Sequence, residues 1–141
     1  MTAPTPQPGI CLALPAYNDA ENLPPLLEAW DAVRRDLGRP FRAVIVDDGS
    51  QDATPRILRQ WAERFPLQAV THTVNQGLGR TIADALRTAA ETAASEDVVV
   101  TMDADNTHPA DLFPAMLAIL DRGEADVAIA SRYRVGSRIV G

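Results

Sequence analysis

Residues 44–52 read VIVDDGSQD, an apolar run that ends at two adjacent aspartates followed by glycine and serine. The run before Asp47 has the length and composition of a buried strand. Because Asp and Gly are ordinary turn residues, one interpretation of the segment is an acidic surface turn. The other is that the strand carries two hydrogen-bond acceptors, Asp47 and Asp48, to the rim of a binding crevice.

The composition is that of an ordinary globular protein with one domain. The 141 residues are 46% hydrophobic and 23% charged, which is enough to build a core. The net charge of −6 argues against a nucleic-acid binder, which needs a basic surface. Cys11 is the only cysteine and lies in the apolar run ICLAL, so we interpret it as a buried hydrophobic residue and not as a nucleophile.

The first residues, MTAPTPQPG, lack the basic and apolar regions of a signal peptide. We expect residues 1–8 to be a disordered lead-in and residues 9–141 to form the domain. No apolar run approaches the roughly 20 residues of a membrane helix. These observations predict a cytoplasmic protein.

Short apolar runs alternate with helical patterns along the chain. Strands are predicted at ICLAL (10–14), FRAVIV (41–46), LQAVT (67–71), VVVTM (98–102) and ADVAIA (125–130). Because continuous apolar strands that alternate with helices are typical of parallel sheets covered on both faces, the pattern predicts a three-layer α/β fold with a mostly parallel sheet.

The helices between these strands have recognisable starts. Asn18 and Glu21 have the spacing of a capping box before the first helix, and Thr54 with a following proline predicts a cap and first turn for the second. A third helix is predicted over residues 78–94, with Ile82, Leu86 and Ala90 on its apolar stripe, and a fourth over residues 109–120.

Polar or glycine-rich segments follow all five predicted strands, and in open α/β sheets ligands bind outside the carboxyl ends of the strands. The segments are PAYNDAEN, DDGSQD, HTVNQGLGR, DADNTH and SRYR. Their repetition favours a binding crevice over an acidic turn at Asp47 and Asp48.

These segments resemble the inverting nucleotide-sugar glycosyltransferases of family 2, which have the GT-A fold, and in particular the dolichyl-phosphate and polyprenyl-phosphate mannosyl- and glucosyltransferases. The matching segments, in family order, are PAYNDAENL (15–23), VIVDDGSQDAT (44–54), NQGLGRTIADAL (75–86), MDADNTHP (102–109) and ASRY (130–133). The resemblance implies a domain that binds a GDP- or UDP-linked sugar together with Mg²⁺ or Mn²⁺.

The resemblance also implies roles for the residues after the first two strands. Pro15, Ala16 and Tyr17 would line the slot for the base, and Glu21 would lie near the ribose. Tyr17 has a second interpretation, packing at the start of the first helix. Of Asp47 and Asp48, one would accept from the nucleobase N–H and the other from the ribose hydroxyls.

In the family, the DxD segment contacts the donor sugar and the metal. Asp105 would be the principal metal ligand and a catalytic residue, with Asp103 beside it, because hard cations prefer oxygen ligands. Relatives often have Leu-Gln after this motif, whereas this chain has Asn106 and Thr107, and a threonine hydroxyl or a water is the alternative to the glutamine. His108 is interpreted as a residue at the start of a helix, not as a ligand.

Two basic or glycine-rich segments would bind the diphosphate. Gly77 and Gly79 would let phosphate approach the backbone at a helix N-terminus, with Arg80 supplying positive charge, although helix capping is an alternative interpretation. Arg132 matches a family arginine that contacts the pyrophosphate and would act in catalysis. For Arg134 and Arg138, contact with an anionic acceptor and a solvated basic tail remain equal alternatives.

Three classes of function are compared on these residues. A nicotinamide dehydrogenase needs a glycine-rich turn after the first strand, and PAYNDAEN has no glycine. An aspartyl phosphatase needs a partner lysine, and the chain has none. A metal-dependent glycosyltransferase and a non-catalytic nucleotide-sugar-binding module remain, and only an activity assay separates them.

The acceptor and the extent of the domain are further expectations. The resemblance suggests a polyprenyl phosphate, whose oxygen needs little help from a general base, and therefore a location at the inner membrane face. Relatives continue beyond the fifth strand with acceptor segments, so we expect the domain to be incomplete at its C-terminus, to bind without efficient transfer, and to self-associate through an uncovered sheet edge.

Overall fold

The computed structural model describes residues 7–131 and 133–136. The chain divides into two compact units, Met1–His108 and Pro109–Gly141. The first unit contains a four-stranded parallel sheet in the order β3-β2-β1-β4. Its strands are β1 (Ile10–Ala16), β2 (Phe41–Asp47), β3 (Leu67–Thr71) and β4 (Val98–Thr101). The predicted parallel α/β fold is confirmed.

Three helices connect these strands: α1 (Leu23–Leu37), α2 (Thr54–Ala62) and α3 (Leu78–Thr92). Side chains alternate across a strand, so each strand contributes to both faces of the sheet. On one face, Cys11 and Val44 pack with Ala85 and Ala89 of α3. On the other, Phe41 lies 6.0 Å from the ring of Trp30 of α1. The first unit therefore has three layers, as the strand pattern predicts.

The cap residues predicted for the first two helices are wrong, although α2 opens at Thr54 with a proline in its first turn as predicted. α1 begins at Leu23, and Asn18 lies outside it in a left-handed conformation with φ 52°. Thr54 is the first residue of α2, and the cap position is Ala53. The side chains expected to cap helices instead hold segments distant in the chain: the Thr54 hydroxyl accepts from the N–H of Asp19, and the Asn18 side chain accepts from the N–H of Gln51. Local spacing could not show that these polar groups have partners elsewhere in the chain.

The predicted apolar stripe of α3 is displaced by one residue. Thr81, Ala85 and Ala89 are buried, whereas Leu86 is 38% exposed. Small residues let the helix axis approach the sheet closely, so the face with alanines packs inward. Helical spacing predicted the helix correctly but the wrong buried face. The prediction placed the larger apolar side chains against the sheet and did not consider that small side chains let the helix approach it more closely.

The second unit begins with a 3₁₀ turn (Ala110–Leu112) that leads into helix α4 (Phe113–Asp121). The strand predicted at residues 125–130 is wrong, since these residues have no strand structure. Val127 is 72% and Ile129 82% exposed. An apolar run becomes a strand only when its backbone groups find a partner strand, which the run itself does not specify. Within residues 7–131 and 133–136, no helix is long and apolar enough to cross a bilayer.

Asp97 joins three elements of the first unit near the start of β4. Its carboxylate accepts from the N–H groups of Gly9 at 2.7 Å and Ala94 at 3.0 Å, and from the Arg42 guanidinium at 3.2 Å. The hydrogen bond from Ala94, with those from Gly9 and Arg42, lowers the pKa of Asp97 although burial opposes the shift.

We expect Asp97→Asn to lower the free energy of unfolding at about pH 7 by about 1–3 kcal/mol, because an amide nitrogen would face groups that only donate. Since the folded-state pKa is lowered, the stabilisation is present above the unfolded value of about 3.9 and is lost as the pH falls through the folded value. Urea titrations at neutral and acid pH measure both effects. Glu96→Gln, at an exposed neighbouring position, is the control, and an equal loss in both variants would contradict the prediction.

Candidate functional site

A cavity of about 340 Å³ lies in the first unit, beyond the carboxyl ends of β1 and β4. The chain proceeds from β1 to β2 and β3 on one side, and then places β4 on the other side of β1. Open α/β sheets bind ligands at such a reversal of strand order. The lining residues come from the carboxyl end of β1, the start of α3 and the segments that follow the four strands: Pro15, Ala16, Tyr17, Asp19, Asp48, Asn75, Gly77, Leu78, Thr81, Asp103, Ala104 and Asp105.

The two aspartates of the turn after β2 have different environments. Asp47 is completely buried and does not line the cavity. Its Oδ1 accepts from the N–H of Ser50 at 3.1 Å, and within the described residues its Oδ2 has no hydrogen-bond partner. Asp48 is also buried but lies on the cavity wall. Of the two aspartates expected at the rim of a crevice, only Asp48 lies there.

Asp48 organises the segment that leads into α3. Its Oδ1 accepts from the N–H of Gln76 at 2.8 Å and from His72 at 2.7 Å, and its Oδ2 accepts from the N–H of Gly77 at 3.0 Å. Burial alone would raise the pKa of Asp48, but the hydrogen bonds from His72, Gln76 and Gly77 outweigh it and the pKa lies below its usual value. Asp48 is therefore ionised at neutral pH.

The loop after β1 is held by the loop after β2. The N–H of Asn18 donates to the Ser50 hydroxyl, and the N–H of Gln51 donates to the Asn18 side chain, each at 2.9 Å. Asp19 accepts from the N–H of Tyr17 at 2.9 Å. These bonds fix the backbone around Tyr17, a residue that is 47% exposed and lines the cavity.

Asp103 and Asp105 both line the cavity and both are exposed. The hydroxyl of Thr107 donates to Asp105 Oδ1 at 2.6 Å, and the N–H of Thr107 donates to the same oxygen at 3.0 Å. These two bonds from Thr107 lower the pKa of Asp105. Asn106 is directed elsewhere, since its side-chain nitrogen donates to the carbonyl of Asn22 at 2.8 Å. Of the two residues that replace Leu-Gln, only Thr107 contacts Asp105.

Several residues expected at the site lie outside the cavity wall. Glu21 is exposed and does not line the cavity. Gly79 is in the first turn of α3, and Arg80 pairs with Asp84 one turn later at 2.8 Å. Arg132, like Arg138, lies outside the described residues. Of the residues named from the sequence, the structure brings together Pro15, Ala16, Tyr17, Asp48, Gly77, Asp103 and Asp105.

Residues that the sequence did not single out also belong to the site. Asp19 and Thr81 line the cavity, and His72 contacts Asp48 from behind the wall. Asp19 and Thr81 lie within segments already recognised as PAYNDAEN and NQGLGRTIADAL, so those segments were the available signal. His72 is an isolated histidine after a weak strand, and only its contacts identify it.

The fold is that of a nucleotide-diphospho-sugar transferase-like α/β domain. The profile of Glycosyl transferase family 2 matches residues 11–140, and the chain belongs to this family. The expected family is therefore confirmed.

Individual relatives agree with this assignment. The dolichol-phosphate mannosyltransferase of Pyrococcus furiosus is 31% identical over 130 residues, which is 92% of this chain and 35% of that protein. The undecaprenyl-phosphate 4-deoxy-4-formamido-L-arabinose transferase of Pseudomonas savastanoi is 34% identical over 120 residues, 85% of this chain and 35% of that protein. The chain thus spans about a third of the length of these relatives.

Two solved structures share the fold. The mannosyltransferase PcManGT of Pyrobaculum calidifontis, in complex with GDP-Man and Mn²⁺, superposes with a TM-score of 0.57 at 32% identity, over 79% of this chain and 32% of that one. The S. aureus protein TarS superposes with a TM-score of 0.65 at 24% identity, over 96% of this chain and 38% of that one. The second likeness concerns the fold alone.

Proposed function

We propose that this chain binds a nucleoside diphosphate sugar with a divalent cation and forms the donor side of an inverting glycosyltransferase. The observation that carries the proposal is the convergence of four strand-end segments on one cavity at the reversal of strand order. A cavity of about 340 Å³ is in the size range of small-molecule sites. The cavity wall has an aromatic side chain and, apart from it, carboxylates. A ligand with a base and a diphosphate requires both kinds of group, in separate places.

The donor contacts follow from the position of each side chain. In the proposal, Tyr17 packs against the base with Pro15 and Ala16 beside it. Asp48 is assigned the direct nucleotide contact, because it lies on the wall, whereas Asp47 is buried and holds the turn. Gly77 is positioned for the diphosphate, since α3 starts at the next residue and helix N-termini favour anions.

Asp103 and Asp105 are the residues proposed to hold the cation, Mg²⁺ or Mn²⁺. Among residues 7–131 and 133–136 no cluster of three or more His, Cys, Asp or Glu side chains could hold a metal. Two carboxylates on one cavity wall suit a cation that takes its remaining ligands from phosphate and water. When bound, such a cation neutralises charge on the departing diphosphate. Mn²⁺ and GDP-Man are present together in PcManGT, which supports this choice.

The acceptor is proposed to be a polyprenyl phosphate, so that the protein works at a membrane surface. The support comes from the relatives named for dolichol phosphate and undecaprenyl phosphate. A phosphate oxygen is already ionised near neutral pH and attacks without a strong general base. In this proposal Arg132 contacts the pyrophosphate, a role that rests on the sequence resemblance alone. Transfer to a soluble sugar hydroxyl instead would contradict the acceptor and leave the donor site intact.

Calorimetry with GDP and with UDP, each with and without Mn²⁺, tests the donor site. We expect one of the two nucleotides to bind, more tightly with Mn²⁺, and the preferred one identifies the base. Asp48→Ala should weaken binding with or without metal, because it removes a wall residue and releases Gln76 and Gly77. The exposed Asp36 of α1 provides the control variant, Asp36→Ala. If neither nucleotide binds in the presence of metal, the proposed function is wrong.

A further inference from the structure

His72 lies directly after β3 and between two carboxylates. Its Nδ1 is 2.7 Å from Asp48 Oδ1, and its Nε2 is 3.1 Å from Asp84 Oδ2 of α3. Only 9% of its side chain is exposed. Hydrogen bonds from Arg80 and Arg87 help to lower the pKa of Asp84, so both carboxylates are ionised and only accept. Both carboxylates can accept from the ring only when the ring is protonated on both nitrogens, because a neutral ring has a single N–H.

The contact with Asp48 connects this ring to the cavity. Asp48 holds the N–H groups of Gln76 and Gly77, which come immediately before α3. Asn75, Gly77 and Leu78 line the cavity. On the other side, Asp84 is fixed within α3 by its ion pairs with Arg80 and Arg87. His72 therefore links the body of α3 to the segment that precedes it.

We infer that His72 is a positioning residue whose charged ring fixes Asp48 and, through it, the shape of residues 75–77 at the nucleotide cavity. The expected effect on nucleotide affinity rests on the proposed function, whereas the contact between His72 and Asp48 does not. The charged groups around the ring are Asp48, directly after β2, and Asp84 from α3, with Arg80 and Arg87 beyond Asp84. When the ring loses its proton, one nitrogen presents a lone pair to a carboxylate, and one hydrogen bond is lost.

The first test needs no ligand and follows amide hydrogen exchange at Gln76 and Gly77. We expect their protection, corrected for intrinsic rates, to fall by about tenfold as the pH is raised until the ring signals of His72 show that it has lost its proton. In His72→Gln the protection should be low throughout and independent of ring titration. The chain has two histidines, so His108→Gln assigns the ring signals. Unchanged protection across the titration of the His72 ring would overturn the inference.

Two further variants separate positioning from general stability. Asp84→Asn keeps the ring but removes the charged acceptor at Nε2, so protection at Gln76 and Gly77 should fall by a smaller factor. Glu91→Gln changes an exposed residue of α3 that does not contact Asp84 in any hydrogen bond or ion pair given above, and it is the control with little effect. If His72→Gln does not fold, the pH titration of the unaltered protein decides the question by itself.

The second test measures nucleotide affinity with Mn²⁺ over the same pH range. We expect GDP or UDP affinity to fall by about tenfold on the alkaline side in the unaltered protein, and to be weak and nearly independent of pH in His72→Gln. An affinity of the unaltered protein that does not change as the His72 ring is titrated overturns the inference. If no nucleotide binds at any pH, the proposed function fails, whereas the exchange experiment still decides whether His72 positions residues 75–77.

Discussion

In the Asp105→Ala variant, the increase in nucleoside diphosphate affinity that Mn²⁺ provides should fall by on the order of 100-fold. Loss of a group that only orients a metal ligand already costs about 10- to 100-fold in metal affinity, and Asp105 is proposed as a ligand itself. Its side chain is exposed, so the free energy of unfolding should change by no more than about 0.5 kcal/mol. Calorimetry with and without Mn²⁺, together with urea unfolding, measures both quantities.

Thr107→Val provides a graded comparison at the same carboxylate. It removes the hydroxyl that donates to Asp105 at 2.6 Å and leaves the backbone N–H bond in place, so the loss should be about tenfold. Asp36→Ala, on the surface of α1, should bind as the unaltered protein does. Retention of full metal dependence in Asp105→Ala would show that this carboxylate is not a ligand.

Gly49→Ala should lower the free energy of unfolding by roughly 2–4 kcal/mol, because the residue combines two steric restrictions. Its φ of 73° favours glycine, and an added Cβ would lie 2.8 Å from the carbonyl carbon of Val74 and 2.9 Å from the nitrogen of Asn75. Both contacts are with backbone, so the loop before α3 would have to move. Because Asn75 lines the cavity, nucleotide affinity should fall as well. Thermal unfolding and calorimetry measure these changes.

Gly79→Ala is the matched control for this substitution. Apart from its chain neighbours and the nearby backbone of its own helix, no heavy atom lies within 4 Å of a Cβ added there. The residue is inside α3, where alanine is favoured over glycine by up to about 1 kcal/mol. We therefore expect unchanged or increased stability. A fall in nucleotide affinity without a loss of stability would support close approach of a phosphate to Gly79. Equal destabilisation by both substitutions would contradict the steric explanation for Gly49.

Four of the five predicted strands, and the end of the sheet that carries the cavity, could be predicted from local sequence. Apolar runs such as VIVDD predict buried parallel strands, and the carboxyl ends of parallel strands share one edge. The placement of Asp48, Asp103 and Asp105 around one cavity follows from that geometry. The helix caps and the inward face of α3 could not be predicted in the same way, because Asn18, Thr54 and Ala85 have their decisive partners far away in the chain.

The sequence by itself determined the family, the parallel sheet and the residues that follow each strand. The family follows from the resemblance of the motif segments. The sheet depends on local composition and periodicity, which hydrophobic burial and backbone hydrogen bonding convert directly into strands and helices. Only the tertiary structure decided that Asp48 lies on the wall while Asp47 is buried, and that His72 bridges two carboxylates. Those differences arise from contacts between residues distant in sequence. They depend on distances of a few ångströms, which no local pattern encodes.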